Sequence, residues 1–71
     1  MSRFDGRVVQ QLREMCLFTR EGLAMHAAID GGGAVVAAIE RGAVVPDAET
    51  IAALARALGV SEEELVVEVV E

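Results

Sequence analysis

An all-α fold of five short helices is predicted by three features of the sequence. Apolar residues recur at intervals of three and four in several windows, the period of one face of a helix. Helix-starting residues (Thr19, Asp47, Ser61) alternate with helix-stopping glycines (Gly42, Gly59), dividing the chain into short elements. The side chains are small, with twelve Ala and eleven Val against two Phe, so helices must approach closely to fill a core. No strand is required by this pattern. A chain of 71 residues makes one small domain, taken as 1–71.

The first helix is expected from about Asp5 to Leu17, where Val9, Leu12 and Cys16 share a stripe that Val8 and Met15 broaden. Cys16 then reads as a small core residue. Thr19 is a good N-cap for the second helix, which carries Leu23, Ala24 and Ala27 on one face and should end near Ile29 and Asp30. Gly31, Gly32 and Gly33 follow as a turn or a frayed helix start, since a glycine run has the most conformational entropy to lose on ordering. The third helix should cover Ala34 to Arg41 with Val36 and Ile39 inward and Gly42 as its left-handed cap. After Pro46 the fourth begins at Asp47, places Ile51, Leu54, Ala55 and Leu58 on one face, and stops at Gly59. Ser61 and Glu64 form a capping-box pattern that opens a fifth helix through Leu65, Val66 and Val69.

All six basic residues are Arg, and twelve acidic residues bring the formal net charge to −6. Five Arg balance five acids from Met1 to Gly42, while Arg56 alone faces seven acids from Ala43 onward. The first part can therefore approach a polyanion that the second would repel. No apolar run reaches the ~18 residues of a membrane span, and no leader pattern opens the chain, so a cytoplasmic protein without a membrane partner is expected. A single cysteine and a single histidine, His26, leave no disulfide and no metal set; His26 reads as a surface or boundary residue. There is no paired-carboxylate, Ser–His or Cys–His arrangement, which argues against an enzyme, a catalytic residue or a cofactor. The glycine run lacks the following Lys and Ser/Thr of a phosphate loop.

Several segments, in order and spacing, carry a family resemblance: Leu12-Arg13, Thr19-Arg20-Glu21-Gly22-Leu23-Ala24, Ile39-Glu40-Arg41-Gly42, Pro46, Thr50-Ile51, and Leu54 through Leu65. Together they make the chain similar to the phage-repressor and Cro-like, or lambda repressor-like, helix-turn-helix family over nearly its whole length. The resemblance implies a DNA-binding domain whose third helix is the recognition helix. It implies phosphate contacts from Arg20 and Arg41, an ion pair between Arg13 and Glu40 tying the first helix to the third, and a recognition face made by Gly33, Ala34, Val35, Ala37 and Ala38.

Two departures fall on that recognition element. The stretch from Leu23 to Ile39 is two residues longer than the family pattern, the excess lying within Asp30 to Ala34, so the turn before the recognition helix should be lengthened and glycine-rich. Where the family presents Gln, Arg, Ser, Thr or Asn, this chain has only Gly, Ala and Val, none able to make the bidentate contacts that read base pairs. Two readings follow. One is a small transcriptional regulator that binds double-stranded DNA as a homodimer. The other is a helix-turn-helix fold that has stopped reading DNA and uses the Ala/Val face on a partner protein, as an antagonist or accessory subunit. Either would use Val66, Val67, Val69 and Val70 on the fifth helix as a dimer surface, because one small core cannot cover so many valines.

Overall fold

The computed structural model describes residues 2–68. The elements are β1 (Ser2–Phe4), α1 (Gly6–Met15), α2 (Arg20–His26), α3 (Gly32–Glu40), α4 (Ala48–Leu58), a single 3-10 turn (Glu62–Leu65) and β2 (Val66–Glu68). Among the described residues the fold is predominantly helical, with four α-helices rather than five.

The expected fifth helix stops after one 3-10 turn. Glu64 does accept a hydrogen bond from the Ser61 N–H at 3.1 Å, so the N-terminal signal is real. The β-branched residues that follow favour extended backbone, and Val66 adopts φ −122° and ψ 150°. From there β2 pairs antiparallel with β1, Phe4 opposite Val66 and Ser2 opposite Glu68. The strandless expectation is thus corrected, and the valines read as a helical dimer face are divided. Val66 and Val67 belong to a strand, and Val69 and Val70 lie outside the described residues.

Each α-helix ends in the same way, with a residue in the left-handed region and the next N–H reaching back to the carbonyl five residues earlier. After α3 and α4 that residue is Gly42 (φ 81°) or Gly59 (φ 74°), as the glycine signal indicates. After α1 and α2 it is Leu17 (φ 62°) and Ala28 (φ 54°), with Phe18 N–H on Arg13 O at 3.0 Å and Ile29 N–H on Ala24 O at 2.9 Å. Both helices therefore stop earlier than apolar spacing alone suggests. One consequence is that Cys16, expected in the core, sits exposed at the end of α1 with its Sγ 3.8 Å from the Leu58 carbonyl oxygen.

The core is formed by Val9, Leu23, Ala24, Ala27, Val36, Ile39, Leu54, Ala55, Leu58 and Leu65. Every helix and the 3-10 turn contributes, and α2 packs against α3 more extensively than any other pair of elements. The chain enters α1 from β1 through Asp5, whose N–H donates to Leu65 O at 3.0 Å and whose side chain caps the Arg7 N–H at 2.9 Å. This brings the first turn of α1 against the end of α3. A Cβ at Gly6 would overlap the carbonyl oxygen of Ile39 and lie 2.9 Å from that of Glu40, so only glycine permits the approach. Among the described residues, no helix is long and apolar enough to cross a membrane.

Candidate nucleic-acid interface

Helices α2 and α3 are joined by residues 27 to 31, and one charge cluster locks both to α1. Glu40, at the last position of α3, has a side chain only 3% exposed. Its Oε2 accepts from Arg13 Nε at 2.6 Å, and its Oε1 accepts from Arg20 Nε at 3.0 Å and from an Arg13 terminal nitrogen at 3.4 Å. Arg13 spends a further N–H on the Phe18 carbonyl at 2.9 Å. A carboxylate can be kept charged out of water only with such partners, and two guanidinium groups supply them. Arg20, named above as a phosphate contact, is therefore partly committed to the interior: its Nε is held by Glu40, while its side chain remains 48% exposed.

The start of α3 differs from the expected Ala34. The helix begins at Gly32, so two of the three glycines belong to its first turn, and only Gly31 remains in the connection. Gly31 has no side chain with which to cap the helix. The cap comes instead from Glu21 in the first turn of α2, whose Oε2 accepts from the Gly33 N–H at 2.9 Å. Cβ atoms at Gly32 and Gly33 would lie 2.9 and 2.8 Å from the carboxylate oxygens of Glu21, and one at Gly33 also 3.0 Å from the Glu21 backbone nitrogen. Gly33 thus faces α2 rather than outward. Sequence reasoning missed Glu21 because its partner is twelve residues away, outside any local capping pattern.

On α3 the residues at helical spacing on the outward side are Ala34 and Arg41, both exposed, with Ala37 and Ala38 half-buried between them. Val35, half-buried, packs against the core. The face is apolar with a single guanidinium at its C-terminal end, and Arg41 forms no ion pair among the described residues. His26 lies exposed at the end of α2 with its ring 5.2 Å from that of Phe18. Beside α3 runs a groove between the α2–α3 connection, the loop 43–47 and α4, where Ile29, Val35 and an 80% exposed Val45 meet Asp30, Asp47 and Glu49 against a single cation, Arg56. Asp47 caps α4 through the Thr50 N–H at 2.8 Å. Hydrogen bonding from Thr50, by side chain and backbone, holds the Asp47 carboxyl below its ordinary value. Among the described residues no group of three or more His, Cys, Asp or Glu side chains could hold a metal ion.

Two consecutive helices packed closely across a short connection, the second with an outward stripe and both anchored to α1, make this a helix-turn-helix. The family of helix-turn-helix domains matches residues 6–66, from the first residue of α1 to the first of β2, and the chain belongs to that family. No curated protein and no solved structure gave a match.

Proposed function

We propose that the protein is a small transcriptional regulator of the phage-repressor and Cro-like type, a single non-enzymatic domain of the cytoplasm that binds double-stranded DNA as a homodimer. The observation carrying this reading is the match of residues 6–66 to the helix-turn-helix family, with α3 tied to α1 and α2 by the Glu40 cluster and turning Ala34, Ala37, Ala38 and Arg41 outward. A stripe of methyl groups fits the floor of a major groove and touches thymine methyls, while Arg41 and the exposed end of Arg20 meet phosphates. Recognition then rests on shape and backbone rather than on base-edge hydrogen bonds. With about two or three phosphate contacts per subunit, log K should fall with log salt at a slope of roughly −2 to −3 per subunit.

Dimerisation is assigned to the valine-rich C-terminal segment, with Val66 and Val67 on β2 and Val69 and Val70 beyond the described residues. A two-stranded ribbon leaves an edge that a second copy can extend. The test is fluorescence anisotropy with a labelled random-sequence duplex between ~50 and ~200 mM salt, paired with sedimentation of the protein alone. Salt-sensitive binding by a dimer supports the reading, and no binding at the low-salt end refutes it.

A second reading, a protein-interaction module, is favoured by the acidic groove and by an α3 face with no hydrogen-bonding side chain before Arg41. Here the Ala/Val surface contacts a partner protein and Asp30, Asp47 and Glu49 repel nucleic acid. Folded protein that ignores DNA at every salt concentration selects this alternative.

A further inference from the structure

We infer that Glu21 sets the DNA affinity of this domain by acting as an internal anion at the start of α3, an inference that rests on the DNA-binding reading. The N-terminus of a helix carries partial positive charge and unpaired N–H groups, the features that attract a phosphate. In this chain one of those N–H groups, and part of that charge, is already served from within. Glu21 Oε2 takes the Gly33 N–H at 2.9 Å, and because Glu21 also stands in the first turn of α2, its single carboxylate complements two helix starts.

The glycine run is what makes this possible. Any side chain at Gly32 or Gly33 would begin with a Cβ within 3 Å of a Glu21 oxygen, and Gly31 and Gly32 adopt φ of 93° and 67°. The residues that read in the sequence as a turn or a frayed helix start are a seat shaped for a carboxylate of the same chain. No cation neutralises that carboxylate: among the described residues Glu21 forms no ion pair, and the neighbouring Arg20 turns its Nε to Glu40 instead. Glu21 is exposed, so its charge stands on the surface of the helix-turn-helix and opposes an incoming phosphate. It is a positioning residue for α3 and an affinity-limiting one for DNA.

The experiment is an anisotropy titration with the same random duplex across ~50 to ~200 mM salt on the wild type, Glu21→Gln, Glu21→Ala and Glu63→Gln. Glutamine keeps an oxygen to accept from Gly33 and removes only the charge. Glu63 is an exposed acid of the 3-10 turn and controls for net charge. Glu21→Gln should bind about two- to fivefold tighter at low salt, with the gain shrinking toward ~200 mM as salt screens the charge it removes. Glu21→Ala should also bind tighter, and Glu63→Gln should match the wild type. Equal affinity and slope for Glu21→Gln and wild type overturn the inference and leave the DNA-binding reading standing. An equal gain in Glu63→Gln overturns it too, because the effect is then one of overall charge. No binding by any of the four folded proteins overturns the inference together with the reading beneath it.

Discussion

Removing the carboxylate of Glu40 is the perturbation from which the largest loss of stability is expected. In Glu40→Ala the Arg13 side chain, 10% exposed and pointing at the vacated site, keeps its positive charge with only the Phe18 carbonyl and the exposed Glu14, 3.8 Å away, as partners. Breaking a buried ion pair from one side costs about 3–5 kcal/mol. A 71-residue domain at ~0.05–0.15 kcal/mol per residue holds roughly 4–11 kcal/mol in total, so the loss is about a quarter of the stability or more. The two arginines should differ sharply. Arg20→Ala removes a half-exposed, solvent-screened partner and should cost about 1 kcal/mol or less. Arg13→Ala leaves Glu40 with Arg20 alone and should cost several times more. With no Trp or Tyr, the assay is urea unfolding followed by far-ultraviolet circular dichroism. A Glu40→Ala loss below 1 kcal/mol, or an Arg20→Ala loss equal to that of Arg13→Ala, would refute the account of Glu40 as a buried hub.

Gly33→Ala should destabilise by about 1–3 kcal/mol, despite the better helix propensity of alanine, because its Cβ meets the backbone of α2; Ala34→Gln, one residue on and exposed, should stay within ~0.5 kcal/mol in the same urea assay. Leu17→Gly should leave stability unchanged or raise it by up to ~1 kcal/mol, since the side chain is 90% exposed and the backbone left-handed; a clear loss would show that Leu17 contributes by packing. The Asp47 carboxyl, held below the ordinary carboxylate value by its hydrogen bonds from Thr50, contributes stability that is present above that ordinary value and lost as pH falls through its lowered folded value. Thermal melts between about pH 2 and 5 should show this acid decline, and Asp47→Asn, which keeps a good cap, should flatten part of it.

The parts of this fold that the sequence discloses are those whose causes are local. Helix α4 is legible because its cap, Asp47, its apolar spacing and its stop, Gly59, all lie within thirteen residues. The ends of α1 and α2 are not, because leucine and alanine occupy positions where a reader looks for glycine. The ribbon escapes notice because each strand has three residues and its partner lies at the far end of the chain. At the candidate interface, the composition of α3 is plain from the sequence, but the seat of Glu21 and the diversion of Arg20 to Glu40 are contacts across 12 and 20 residues. The family resemblance implies a phosphate contact for Arg20, and only the packing of α3 beside it shows the competing carboxylate.

The pairing of β1 with β2 also orders events in time. Joining Phe4 to Val66 closes a loop of roughly 60 residues, whose entropy cost of about 3–4 kcal/mol far exceeds what two three-residue strands regain by themselves. The ribbon can close only after the helices have collapsed and shortened the distance between its halves, whereas α2 and α3 meet across a few residues and can associate early. The N–H of Asp5 reaches the Leu65 carbonyl at that same closure, and Asp5 is also the cap of α1. Sequence separation therefore favours early association of the helix-turn-helix pair and late pairing of β1 with β2.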